Sequence, residues 1–256
     1  MSDEGIKTPS GSGQKKASNI GVPAAIVLAG GLVALAIYFG GGRASVTQPA
    51  NVPGGADDAA GAVPDAAVPT EPPVGDFRPV TADDHIRGSA DAKITILEYS
   101  DTECPFCKDF QETMQQVMTD YPNDVRWVYR HAPLEQLHPK APHEAVAVEC
   151  AAEQGKFWEY LDKIYEVTPS NNGLDESKLP EIAQQVKVAN LTQFNSCLSS
   201  DKYKQKVADD LVDAQAAGLR GTPYSILIAS DGTKTPINGA LPVVSVKAMI
   251  DGVLGK

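Results

Sequence analysis

Apolar and polar positions fall into four regimes along the chain. Met1 to Asn19 is polar and rich in Gly and Ser. Ile20 to Phe39 then runs for about twenty residues without a charge, long enough to span a bilayer core. Gly40 to about Asp76 spreads Pro49, Pro53, Pro64, Pro69, Pro72 and Pro73 among Ala, Gly and Asp, with almost no large apolar side chain. From Phe77 onward the pattern becomes that of a folded domain. Ile94, Ile96 and Leu97 mark a strand over Lys93–Tyr99. Phe110, Met114, Val117 and Met118 recur at helical spacing over Pro105–Asp120, and Val125–Arg130 reads as a second strand. Helical patterning then fills Ala141–Val167, Leu179–Val188, Leu191–Ser199 and Asp201–Ala217. Extended character returns at Tyr224–Ala229, turns at Asp231-Gly232 and continues to Ile237, before a closing helix over Val243–Leu254. The order is β-α-β, a block of helices, then a β-hairpin and a helix.

The first three regimes predict a disordered tail over 1–19, a membrane anchor over 20–39 and a tether over 40–76. A composition like the tether's buries too little apolar surface to offset its ordering entropy. As a coil of about 35 residues the tether would reach roughly 30–35 Å. A cleaved signal peptide competes with the anchor, since Gly42-Arg43-Ala44 resembles a cleavage site. Signal cores run only about 7–15 residues, which favours an uncleaved, single-pass span. Lys7, Lys15 and Lys16 precede it and only Arg43 follows closely, so the N-terminus is expected in the cytoplasm and the domain outside it, periplasmic or extracellular.

A net charge of −11 over 256 residues argues against nucleic acid as a partner. The four cysteines are Cys104, Cys107, Cys150 and Cys197. Cys104-Pro105-Phe106-Cys107 follows a strand and opens a helix, the context of a redox pair. At a helix start the first thiol meets unpaired backbone N–H groups that favour its thiolate, and Pro105 at the first helical position loses no hydrogen bond. A structural zinc site is the weak rival: Cys150 and Cys197 are single and far apart, and His138 and His143 read as loop residues. No metal and no cofactor is expected.

Disulfide exchange needs an exposed thiolate and a second thiol that resolves the mixed disulfide. Cys104 is expected to be the exposed, low-pKa member and Cys107 the covered, resolving one. Glu103 should disfavour the thiolate and Lys108 favour it. Phe106 is a candidate for an apolar rim that meets unfolded clients, or for a structural contact. Cys150 and Cys197 lie in a compartment that permits disulfides and are expected to pair as a structural bridge, the alternative being two buried reduced thiols. Trp127, Tyr129, Phe157, Trp158 and Tyr160 read as core, the Lys202–Lys206 cluster as a solvated face, and His131 as a loose candidate for the site's surroundings.

Glu98-Tyr99-Ser100-Asp101 leading into Cys104–Cys107, Cys150 to Trp158 (Cys-Ala-Ala-Glu-Gln-Gly-Lys-Phe-Trp) and Gly221-Thr222-Pro223 together resemble a DsbA-like thiol–disulfide oxidoreductase of the thioredoxin superfamily. The resemblance covers about residues 80 to 256. It implies an α/β fold, a thioredoxin fold over 77–256 with a helical insertion (about 135–219) between its βαβ and ββα halves, preceded by the single N-terminal transmembrane helix. It implies that Pro223 is cis and faces Cys104–Cys107, with Thr222 offering strand-like hydrogen bonds to a substrate beside Pro105 and Phe106. From the residues alone Pro223 is equally an ordinary strand-entry proline. Glu98 matches the family's buried acid, and an exposed strand position is the other reading. Phe106 supplies no charge where some members carry a histidine, which leaves oxidase, isomerase and reductase directions open. The implied partners are unfolded or thiol-containing secreted proteins and a membrane redox partner that regenerates the disulfide. A non-catalytic client-binding module would use the same proline groove without turnover.

Overall fold

The computed structural model describes residues 73–256. The tail over 1–19, the span over 20–39 and all but the last residues of the tether lie outside them. Among the described residues no helix is long and apolar enough to cross a membrane.

Five strands, β1 (His85–Gly88), β2 (Ile94–Ser100), β3 (Val125–His131), β4 (Tyr224–Ala229) and β5 (Lys234–Asn238), form one sheet in the order β1-β3-β2-β4-β5. β2 and β3 are parallel, and the other neighbours are antiparallel. A parallel pair needs a crossover, which helix α1 (Pro105–Asp120) supplies. β1 was not legible as a strand: His85-Ile86-Arg87-Gly88 is short, polar and at the sheet edge, and its pairing with Val128 and Tyr129 of β3 defines it.

The insertion contributes α2 (Ala141–Ala152), α3 (Phe157–Val167), α4 (Leu179–Gln185), α5 (Leu191–Leu198) and α6 (Lys204–Ala217), and α7 (Val243–Leu254) closes the chain. The helical run over Ala141–Val167 is two helices. Gly155 breaks it at a φ of 70°, a left-handed conformation that glycine adopts without steric cost. The disulfide Cys150–Cys197 staples α2 to α5.

Strand alternation divides the core. Ile94, Ile96, Trp127, Tyr129 and Leu227 pack with α1, α7 and the insert helices on one face. Leu97, Tyr99, Val128 and Ile226 pack with Ala214 and Ala217 of α6 on the other. Every residue of central β2 is buried.

Packing begins before Phe77. Val74 joins the α6-side cluster, and the Gly75 N–H donates to the Ala217 carbonyl at 2.9 Å. A side chain at Gly75 would collide with the Ala216 carbonyl, so the segment lies flush on α6. Buried Arg130 pins the stretch from Arg78 to Asp84. Its guanidinium donates to both Asp84 oxygens (2.7 and 2.9 Å), to Asp213 (2.7 Å) and to the Arg78 and Pro79 carbonyls.

One further reading changes. Lys206 is drawn in from the supposed solvated face by Glu149 at 2.9 Å and Asp210 at 3.2 Å. His131, by contrast, does border the site: it pairs with Ser100 across the sheet, and its side chain is buried against Glu149 at 3.1 Å with no hydrogen bond to either motif cysteine.

Candidate active site

Cys104 is the N-cap of α1 with extended backbone angles, and Pro105 occupies the first helical turn. The helix buries Cys107, Phe110, Gln111, Met114 and Val117, so the stripe that holds α1 on the sheet also takes Cys107 into the core. Phe106 points outward and is 62% exposed. Both motif cysteines are free thiols.

Cys104 is not the exposed thiol expected: only 5% of its surface is open. The Thr222-Pro223 turn, joined by a cis peptide bond, covers it, and in its protonated form the thiol donates to the Thr222 carbonyl at 3.4 Å. Its pKa is nevertheless lowered to about 6. The Cys107 thiol bonding to it is the largest cause; burial opposes this, and the Thr222 side chain and the backbone N–H groups of Cys107 and Phe106 add to it. Cys107 moves the other way, raised well above the ordinary thiol range by burial and then by Cys104. The Asp101 N–H also donates to the Cys107 sulfur at 3.4 Å. The two sulfurs therefore differ sharply in charge, one a thiolate at neutral pH and the other a thiol.

Glu98 is the buried reading of the two. It alternates onto the α1 face with Ile94 and Ile96, is fully buried, and its carboxyl is raised to about 7 by burial, partly offset by nearby Ser100 and Trp127. Neither of its oxygens meets a partner in hydrogen-bond geometry.

Glu103 and Lys108 do not act on Cys104 as opposed charges. The Glu103 carboxylate turns away to accept the N–H groups of Asn172 and Leu174, and Lys108 donates to the Thr168 carbonyl at 2.7 Å. Both hold the 168–174 loop against the active-site turn. Behind Glu103, burial and then Glu103 itself push Glu144 up to about 9, so it is protonated at neutral pH.

Sequence reasoning missed three side chains. Asp101 accepts from Glu103 N–H (2.8 Å) and Leu134 N–H (2.7 Å) and lies 3.0 Å from His138 Nδ1. His138 is thus a loop residue, but a buried one that holds the turn before the cysteines. Ser100 and Tyr165 meet hydroxyl to hydroxyl at 3.0 Å, within electrostatic reach of Cys107. The signal for Ser100 was available: it stands two residues after Glu98 on one strand and so shares its face. Tyr165 lies 65 residues further along, with nothing local to mark it.

The sequence profile of the family described as Thioredoxin matches residues 80–250. The chain belongs to the thioredoxin family. Among solved structures, Pseudomonas aeruginosa DsbA2 is 26% identical, with a TM-score of 0.57 over 69% of this chain and 97% of that one. Wolbachia pipientis alpha-DsbA1, 19% identical with a TM-score of 0.59 over 69% of this chain and 93% of that one, shares the fold. The domain is thus a thioredoxin fold with a DsbA-like architecture, and its Cys104–Cys107 pair sits at the start of α1.

Two curated relatives are named as Na(+)/H(+) antiporters. That of Mycolicibacterium vanbaalenii is 37% identical over 57% of this chain and 24% of its own length. That of Salinispora tropica is 36% identical over 57% of this chain and 22% of its own. The chain spans about a quarter of the length of the curated relatives it matches.

Proposed function

We propose that this protein is a membrane-anchored thiol–disulfide oxidoreductase that oxidises thiol-containing secreted proteins outside the cytoplasm. The observation that carries the reading is the placement of the two sulfurs, Cys104 at the N-cap of α1 against Thr222 and Cys107 buried by the helix, which lowers the first to about 6 and raises the second. A stabilised Cys104 thiolate favours the reduced enzyme, and an enzyme whose reduced form is favoured passes its disulfide to clients. It is also a good leaving group when a client's second thiol displaces it. The Cys150–Cys197 disulfide supports an oxidising compartment. Exposed Phe106 beside the covered Cys104 offers an unfolded chain an apolar contact at the point of exchange. Regeneration falls to a membrane redox partner, reached with the domain tethered to the span over 20–39.

In exchange, a client thiolate attacks Cys104 of the oxidised pair and Cys107 leaves, taking a proton. The client's second thiolate then displaces Cys104. With Cys107→Ala, mixed disulfides should accumulate on non-reducing gels and vanish with reductant; with Cys104→Ala none should form. Equal complexes in the Cys104 variant would reverse the roles. Their absence from a folded Cys107→Ala protein would remove the oxidoreductase reading and favour a binding module. Equilibration with glutathione buffers distinguishes oxidase from reductase poise. External protease on spheroplasts should remove the domain, and survival of the full-length chain beside a digested external control would reject the placement.

A further inference from the structure

Cys107 must exchange a proton with some group in each half of the cycle, and the acid nearest by topology is Glu98. No hydrogen bond joins the two: both Glu98 oxygens lack a hydrogen-bond partner among the described residues. The core around Glu98 holds other polar atoms in the same condition. Ser225 stands directly across from it on β4, and its hydroxyl is unpartnered, as is the Trp127 indole N–H on β3. Buried polar groups are seldom left this way, and several of them on one sheet face leave polar capacity beside Glu98.

Ser100 is the side chain that borders both ends. It shares the α1 face with Glu98, is 1% exposed, and adjoins Asp101, whose N–H donates to the Cys107 sulfur at 3.4 Å, so it stands between the two groups and favours the charged form of each. At rest its hydrogen-bond partner is the Tyr165 hydroxyl at 3.0 Å, which in turn meets the Tyr129 hydroxyl at 3.2 Å. A hydroxyl donates and accepts at once, so it can take a proton from sulfur while giving its own to a carboxylate, with no charge left on it. Burial keeps both phenols protonated far above neutrality, which suits them to hold Ser100 rather than to titrate.

We propose that Ser100 is the proton relay between Cys107 and Glu98, and that Tyr165 is the residue that positions it. The inference rests on the exchange chemistry proposed above. Take the reduced enzyme meeting glutathione disulfide. The Cys104 thiolate attacks one sulfur and releases a glutathione thiolate. The Cys107 proton then passes to the Ser100 oxygen as the Ser100 proton passes to the Glu98 carboxylate. The Cys107 thiolate attacks Cys104, forming the enzyme disulfide, and the second glutathione leaves as a thiolate that solvent protonates. Glu98 afterwards returns its proton to solvent. The oxidised pair attacked by a client runs the same transfer backwards.

The test is acid-quenched, single-turnover reaction of the full chain with glutathione disulfide, followed by mass spectrometry, across pH and in heavy water. The groups facing the relay are Cys104 and Cys107 of α1, Glu98 of β2, Asp101 of the following turn, Tyr129 of β3 and Tyr165 of α3. Ser100→Ala should slow resolution of the mixed disulfide on the order of 10–10²-fold, within the reach of general acid–base catalysis, and abolish its solvent isotope effect. Ser100→Thr should restore both. Tyr165→Phe should give a smaller slowing in a folded protein, and is the second arm should Ser100→Ala fold poorly. Glu98→Gln should add little to Ser100→Ala, because both act in one step. Formation of the mixed disulfide by Cys104 should stay unchanged throughout. Wild-type resolution in Ser100→Ala, or a full additional loss on adding Glu98→Gln, would overturn the relay. Failure of the unsubstituted protein to form the mixed disulfide at all would instead overturn the exchange reading beneath it.

Discussion

The Cys104 sulfur lies 3.4 Å from the carbonyl oxygen of Thr222, a residue 118 positions further along the chain. That contact joins the start of α1 to the entry of β4 and turns an open helix end into a covered one. It also brings the Thr222 side chain, whose hydroxyl has no hydrogen-bond partner among the described residues, near enough to lower the pKa of the reactive sulfur.

Thr222→Val keeps the branched shape and removes the hydroxyl. The Cys104 pKa should rise from about 6 by about half to one unit, toward the ordinary thiol range. Thiolate absorbance titrated against pH reads this directly. An unmoved titration curve would remove Thr222 from the set of groups that stabilise the thiolate.

The lowered Cys104 pKa makes stability depend on redox state and pH. The folded value is about 6 against an ordinary 9.0, so the stabilisation of the reduced form is full above pH 9.0 and is lost as pH falls through about 6. The raised Cys107 thiol opposes this only above the ordinary thiol range, outside that window. Urea midpoints of reduced minus oxidised protein should therefore climb between pH 6 and 8 and flatten below 6. A difference independent of pH would contradict a buried thiolate.

Glu98 has the opposite sign. Its carboxyl is raised from 4.5 to about 7, so its contribution is fully present below 4.5 and lost as pH rises through about 7. That interval corresponds to roughly 3 kcal/mol as an upper bound. Glu98→Gln should accordingly stabilise the oxidised protein at pH 8 by up to this amount and change little at pH 4.5. Equal midpoint shifts at both pH values would show that packing, and not a buried charge, is what the substitution alters.

Cys150 and Cys197 close a loop across a separation of 47 residues. Chain-entropy arguments give such a crosslink about 4 kcal/mol. Replacing both with Ala should cost about 2–4 kcal/mol in urea unfolding, with the Cys104–Cys107 exchange rate unchanged, since the bridge lies between α2 and α5. Loss of exchange in a protein that remains folded would tie the insert's staple to the active site.

The elements of the domain were largely legible because their signals are local. Pro105 at a helix start, the Phe110–Met114–Val117 spacing and the Ile94–Leu97 run each fix their own segment through steric preference and the side chains' need to leave water. The same locality explains the misses. β1 has no apolar signature of its own and exists through its hydrogen bonds to β3. Lys206 carries no local mark of burial, and Glu149, from a different helix, joins Asp210 of its own helix in drawing it in.

Within the site, local sequence was enough for the pair of thiols, their order, and the helix start that sets the first apart from the second. Spacing along one strand and one helix turn was sufficient for that. Only the tertiary structure decided that Cys104 is covered rather than exposed, that Glu98 is buried, that Glu103 and Lys108 are diverted to the 168–174 loop, and that Ser100 and Tyr165 meet within electrostatic reach of Cys107. Each of these depends on burial and on contacts between segments distant in sequence. Such terms arise when a sheet face closes against helices from elsewhere in the chain, and no local pattern encodes them.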